Sequence, residues 1–294
     1  MARVVFVADD LGIAPGVDEG IVAAARNGLV REASLCVTGA SAATGVRLAR
    51  EHGVGIGLHF SLTLGRALSG PIRGLTDAEG RFKDLLPALR ACLLRRVDRA
   101  AVAREVQAQL AALQALGVKA THFNGHHHVH CWPVVRDVCF AAAAAAGIRW
   151  TRLPAEPAAI GGRWQPQRLA LAWLVRGARR HAVVAGMQAL PFLGSVTEAR
   201  TDFGSRFLLA MTRLPAGDCE WMVHPRVPDE TFARLDKRGR QLEPAARAEL
   251  ATLTAPATRA ALAALGIEVI GYQQATAPCR DLEVDVPSVG PSVG

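Results

Sequence analysis

The chain has no CxxC pair among its six cysteines, no run of five basic residues, no leader-like start and no long apolar stretch. Without paired spacing, Cys36, Cys92, Cys131, Cys139, Cys219 and Cys279 read as reduced thiols. The opening MARVVFVADD lacks the charged, apolar and small-residue sequence of a signal peptide, so a cytoplasmic location is expected. The longest apolar run lies around Phe140 to Ile148, well short of the roughly 18 residues of a membrane span, and no stable membrane insertion is expected. A net charge of +8 would suit nucleic acid if it were concentrated. Its densest groups, Arg95, Arg96 and Arg99 and then Arg176, Arg179 and Arg180, fall on helical patterns instead, where they form solvated faces, so nucleic acid is not an expected partner.

What is present is globular. Of 294 residues, 50% are hydrophobic and 20% charged, ample for a core, and a (β/α) barrel of about 250 residues folds as one domain. Short β-branched runs alternate with helical periodicity: Val4 to Ala8, Ser34 to Val37, Gly55 to Phe60, Ala120 to Asn124, Ile148 to Leu153, Val183 to Ala185, Trp221 to Val223 and Ile267 to Ile270. Between them lie helical patterns at Pro15 to Asn27, Ser41 to His52, Val97 to Leu116 and Pro133 to Ala146. Gly53, Gly117, Gly147 and Gly266 each stand where a helix should end and a strand begin. The expected architecture is α/β: a TIM-like (β/α) barrel of seven or eight strands, open to distortion, over residues 1–277 as a single domain. The 278–294 tail, ending PSVGPSVG, is expected to be disordered. Ser61 to Leu94, broken by Gly65, Gly70, Pro71, Gly74 and Gly80, reads as a long loop over the barrel mouth, and Pro154 to Pro166 as a second irregular stretch.

Four of these strands close on acid or imidazole. The first ends in Asp9 and Asp10, two adjacent carboxylates that repel unless a cation or a shared proton relieves them. The third ends in His59. The fourth leads into five histidines in nine residues, His122, His126, His127, His128 and His130, and extended alternation would put His126, His128 and His130 on one side. Another strand closes on His224, before Pro225. In a barrel these ends share one mouth, so the residues define a metal centre of one carboxylate and two imidazoles with a spare acid and a spare histidine beside it; spacing leaves open which histidines bind. Cys131, next to the cluster, reads as a packed thiol.

These motifs resemble the YdjC family of carbohydrate deacetylases. The matching stretches are Ala8-Asp9-Asp10-Leu11-Gly12, Gly57 to Thr63, Thr121 to His130, Arg152-Leu153-Pro154 and Val223-His224-Pro225, in order along most of the chain. The resemblance implies Asp10, His59 and His126 as metal ligands, Asp9 as catalytic base, His224 as general acid and Arg152 as the residue orienting the base or the substrate. It implies Mg²⁺, whereas a His₂Asp set favours Zn²⁺, Co²⁺ or Ni²⁺ on ligand grounds. The implied reaction is removal of an N-linked acetyl group from an amino sugar or glycoconjugate, with the sugar as the partner and a homo-oligomer left open. Arg226 stands where the family often has glycine, which bears on substrate contacts. Two other readings are an amidohydrolase or polymerase-and-histidinol-phosphatase-like barrel, which carries His-x-His on its first strand where this chain has Asp9-Asp10, and a catalytically idle metal- or sugar-binding barrel, which would lack the base or the acid.

Overall fold

In the computed structural model, residues 1–155, 166–194, 202–235 and 243–276 are described; the 278–294 tail, Cys279 and most of the Pro154 to Pro166 stretch lie outside them. Eight strands form one all-parallel sheet: β1 Ala2–Leu11, β2 Glu32–Leu35, β3 Gly55–Phe60, β4 His122–Gly125, β5 Trp150–Thr151, β6 Phe192–Gly194, β7 Gly217–Val223 and β8 Ile267–Val269. Seven follow the spatial order β5-β4-β3-β2-β1-β7-β6, and β8 pairs with β1. β1 is the hub. Its start, Ala2 to Val4, pairs with both β7 and β8, and its end, from Val7, pairs with β7 and β2. A single bridge, Trp150 to Gln188, links β5 to the residues just before β6. The sheet is thus a curled, distorted TIM-like barrel wrapped in helices.

The sequence dictates this arrangement locally. β1 is buried on both faces, as parallel strands flanked by helices are. Val4, Phe6 and Ala8 pack outward under the helices, while Val5 and Val7 point inward to Trp150, Leu190, Ile270 and Tyr272. Among the helices are α1 Pro15–Arg26, α2 Ala42–Glu51, α3 Leu85–Leu93, α4 Arg99–Ala115 and α5 Arg136–Ala145. These are followed by α6 Pro166–Val184, α7 Phe203–Met211, α8 Glu230–Leu235, α9 Glu243–Thr254 and α10 Pro256–Ala264. α1 starts with proline at its first turn, and α4 is capped by Asp98, whose carboxylate accepts from Ala100 and Ala101 N–H. Gly53, Gly117, Gly147 and Gly266 adopt φ of 65°, 68°, 80° and 67°, the left-handed turn that stops a helix and releases the chain into the next strand.

Three expectations are corrected. Val183 to Ala185 is not a strand: it ends α6, Val183 and Val184 are exposed, and the strand of that unit is β6. His126–Cys131 is a 3-10 turn with His127 and His128 at φ 52° and 56°, not an extended segment, so no alternation governs the histidines. Ser61 to Leu94 is not structureless: it carries α3 and the antiparallel bridges Arg66 to Arg81 and Thr76 to Phe82.

Candidate functional site

Asp9 and Asp10 occupy consecutive strand positions, which a regular pleat would point to opposite faces. The pairing of β1 with β2 shifts register between Ala8 and Leu11, and Asp10 sits at φ 71°. The strand leaves its pleat there, and aspartate tolerates the left-handed conformation better than most residues. Both carboxylates therefore face the mouth, buried at 1% and 7% exposure. His59 ends β3, His126 follows β4, Arg152 follows β5 and His224 follows β7, all at the same C-terminal end of the sheet.

Asp10, His59 and His126 converge. Asp10 Oδ1 lies 3.3 Å from His59 Nε2 and 3.1 Å from His126 Nδ1, and the three potential ligand atoms all fall within 4.8 Å of one another. His59 is oriented from behind: its Nδ1–H donates to Asn124 Oδ1 at 2.7 Å, which leaves Nε2 as the lone-pair nitrogen facing Asp10. One carboxylate and two imidazoles, one with its tautomer fixed, fit a divalent cation of the borderline kind. Burial opposes charge on His59, but the Asp9 and Asp10 carboxylates outweigh it and raise its pKa. Burial likewise opposes charge on Asp10, and His126 and His59 reverse this, holding its carboxyl well below the usual range.

Asp9 is held differently. Arg152, fully buried, forks onto it, with Nη1 donating to Oδ2 and Nη2 to Oδ1 at 3.0 Å, while Arg152 Nε donates to Glu220. Oδ1 also accepts from Ser34 Oγ at 3.0 Å and from Asn124 Nδ2 at 3.3 Å. Oδ1 is thereby saturated, and Oδ2 is the oxygen nearer His224, 4.0 Å from its Nε2. Burial alone would raise the Asp9 carboxyl; Arg152 overrides it, and the group is held far below its ordinary value. His224 is lowered too, but by burial, which Asp9 and Asp10 only partly counter, so there the charged form is the one disfavoured. The His224 backbone N–H donates to Glu249 Oε1 at 2.7 Å, and burial pushes the Glu249 carboxyl up to about 7. Asp9, Asp10 and His224 line one cleft with Val17, Arg226 and Phe232, and the Arg226 guanidinium stacks 4.4 Å from the Phe232 ring centre.

The histidine cluster is divided among tasks. His126 alone joins Asp10 and His59; His127 is exposed with Nδ1 3.0 Å from Thr63 Oγ1; His130 Nε2–H donates to the Arg152 carbonyl at 2.9 Å. His128 packs edge-on between His130 and Phe192, and His122 lies deeper, 2.9 Å from Ser34 Oγ. Cys131 is buried, as expected of a packed thiol. Sequence reasoning missed Ser34, Asn124, Glu220 and Glu249. A polar residue between buried apolar neighbours was the available signal for Ser34 and Glu220; nothing in sequence marked Glu249, which sits on α9.

A barrel with a triad able to hold a metal ion, a clamped carboxylate and a facing imidazole is the class that fold and site define. The chain belongs to the YdjC-like protein family, whose model matches residues 3–264. A protein of Mus musculus named carbohydrate deacetylase is 35% identical over 288 residues, covering 91% of this chain and 93% of its own length. Its Geobacillus stearothermophilus namesake is 32% identical over 270 residues, with 91% and 95% covered. Among solved structures, an Enterococcus faecalis protein described as a candidate for cellobiose-phosphate cleavage superposes with a TM-score of 0.69 at 20% identity, covering 92% of this chain and 98% of its own; this likeness is one of fold. Among the described residues, no helix is long and apolar enough to cross a membrane.

Proposed function

We propose that this chain is a metal-dependent, cytoplasmic carbohydrate deacetylase that hydrolyses the N-linked acetyl group of an amino sugar or glycoconjugate. The observation that carries the reading is the juxtaposition, at one end of the sheet, of the Asp10, His59 and His126 triad with an ionised Asp9 and a facing His224. The relatives named carbohydrate deacetylase, at 32% and 35% identity over most of the chain, support it.

A divalent cation held by Asp10, His59 and His126 would supply Lewis acidity to the acetyl carbonyl and acidify a water to a pKa of about 7. Asp9 Oδ2 accepts the proton of the attacking water. Arg152 keeps that carboxylate charged and fixes its plane, and Glu220 in turn fixes Arg152. His224 hands a proton to the sugar nitrogen as the C–N bond breaks, so water and amide become acetate and amine. Both groups are lowered: Arg152 holds Asp9 ionised and ready to take a proton, while burial disfavours charge on His224, which therefore gains its proton within the reaction before passing it to the nitrogen. The donor set suits Zn²⁺, Co²⁺ or Ni²⁺ better than Mg²⁺.

Mass-spectrometric screening of N-acetyl chitooligosaccharides, acetylglucosaminyl lipids and glycopeptide precursors for loss of one acetyl group, with metal content measured on the same sample, tests the proposal. Acetyl release that disappears on chelation is expected. Metal-loaded protein that releases acetate from none of these would overturn it.

A further inference from the structure

A second polar cluster runs beneath the site and ends on Asp9. Thr121 Oγ1 lies 2.8 Å from Glu32 Oε2 and 2.9 Å from His122 Nδ1; His122 Nε2 lies 2.9 Å from Ser34 Oγ; and Ser34 Oγ–H donates to Asp9 Oδ1. Glu32 Oε1 accepts the Tyr272 N–H at 2.9 Å, and the His122 ring lies against the Tyr272 ring, 4.8 Å between centres. Glu32, Ser34 and His122 are buried at 2%, 0% and 0% exposure.

The backbone gives up side chains to house this cluster. A Cβ at Gly57 would lie 2.5 Å from three atoms of the His122 ring, and one at Gly55 would lie 2.3 Å from Glu32 Oε2. On the other side, a Cβ at Gly271 would come within 2.8 Å of Glu32 Oε1. Glycine inside a strand is destabilising against alanine, and a buried ionisable pair is generally no more stabilising than well-packed apolar residues. Stability alone does not explain two strand glycines clearing room for a glutamate and a histidine.

Counting hydrogens supplies an explanation. A serine hydroxyl has one hydrogen and two lone pairs. Asp9, clamped by Arg152, is a pure acceptor, and Asn124 Nδ2 donates to Ser34 Oγ at 2.9 Å, its own Oδ1 being engaged by His59. For the Ser34 hydrogen to reach Asp9, His122 Nε2 must itself carry a hydrogen and donate. If Nε2 were bare it would compete for that single hydrogen, and Asp9 would lose a donor. Thr121 has a single hydrogen for both Glu32 Oε2 and His122 Nδ1, so with Nε2–H in place one further proton is shared between Glu32 and the ring, and this Nδ1–Thr121–Glu32 chain holds the ring in that orientation.

We propose that His122 is a positioning residue: its Nε2–H commits the Ser34 hydroxyl to Asp9 Oδ1, keeping Oδ2 as the oxygen that faces His224 and the substrate. The inference rests on Asp9 being the base in the reading above, and it adds Glu32, Thr121, His122 and Ser34 to the apparatus that sets its geometry.

Two measurements test it. The first needs no activity: long-range ¹H–¹⁵N correlation on the full chain labelled in histidine, with His122→Gln used for assignment, reports which ring nitrogen bears hydrogen. A protonated Nε2 is expected, and a bare Nε2 overturns the proposal. The second is a double-mutant cycle on acetyl release. Ser34→Ala should lower kcat roughly tenfold to a hundredfold, the worth of a hydrogen bond to a charged group, with KM within about twofold and metal content unchanged. His122→Phe should lower kcat comparably, His122→Gln, whose amide can donate, should recover most of the rate, and Ser34→Ala with His122→Phe should be no slower than Ser34→Ala alone. Multiplying losses, or a His122→Phe effect confined to KM or metal content, would show that His122 does not act through Ser34. If the wild-type chain releases no acetyl group, the proposed function fails, while the nitrogen spectrum still decides the state of His122.

Discussion

Replacing Arg152 by methionine separates charge from volume at the centre of the barrel. The two side chains are similar in length, so little cavity opens, but Asp9 and Glu220 lose the cation that forks between them. Arg152, Asp9 and Glu220 are exposed by 0%, 1% and 0%, so solvent cannot take its place. Removing one partner of such a buried pair costs about 3–5 kcal/mol, because an uncompensated charge is left behind. The pH dependence has a definite sign. In the wild type the folded Asp9 lies below its ordinary value of 3.8, so its stabilisation is present above that value and disappears only as pH falls through the folded one. In Arg152→Met, burial acts on Asp9 without the opposing guanidinium, the folded carboxyl rises above the unfolded one, and acidification relieves the variant. The stability gap should therefore be largest near pH 7 and narrow toward pH 4, by up to about 1.4 kcal/mol per pH unit for each carboxylate that titrates. Urea unfolding of chelator-treated wild type and variant, followed by circular dichroism at pH 7, 5.5 and 4, measures it. A gap under about 1 kcal/mol at pH 7, or one that widens on acidification, would refute the reasoning.

Asp10→Ala, His59→Ala and His126→Ala should each lose bound metal together with activity, since three ligands leave no redundancy; full occupancy by metal analysis in any two would remove the ligand assignment. Asp9→Asn should keep the fold and most of the metal while kcat falls by about 10² to 10⁴; loss of metal would instead make Asp9 a ligand. His224→Asn should lose most of its rate on an N-acetyl sugar and much less on an activated aryl acetate, whose leaving group departs without a proton, and equal losses on both would assign it to positioning or oxyanion stabilisation. Burial lowers His130 to about 3, so below pH 6.5 the unfolded chain binds a proton that the folded one refuses, and stability should fall with pH from 6.5 toward 3 by about 1.4 kcal/mol per unit. His130→Gln should flatten that slope by one proton in pH-resolved urea titrations.

How much was legible in sequence depended on whether a local rule governed the residue. β1, β3 and the four helix-ending glycines were legible because burial on both faces and left-handed φ leave unmistakable signatures. β6 was not: Val183 and Val184 have the β-branched composition of a strand, and only the continuity of α6, set by packing over its whole length, makes them helical. The convergence of strand ends on one mouth gathered Asp9, Asp10, His59, the histidine cluster and His224 into one region, and the family resemblance added Arg152. Separating the histidines required the positive φ of His127 and His128, which no composition announces. Ser34, Asn124 and Glu220 escaped because a buried polar side chain declares its role only through its partner, and those partners are distant in sequence.

The shared edge of β1 bears on how the protein is made. Ala2 to Val4 are held on one side by Gly217 to Cys219 and on the other by Ile267 to Val269, so the start of β1 pairs with segments synthesised more than 200 residues later. At synthesis rates of about 5–20 residues per second, the start of the first strand waits on the order of 15–50 s for its final neighbour. Throughout that interval the apolar run Val4 to Ala8, wholly buried in the finished molecule, has an incomplete sheet around it. Translation therefore sets the earliest moment at which the barrel can close, and a nascent chain stalled before residue 267 presents a sticky amino-terminal strand to chaperones.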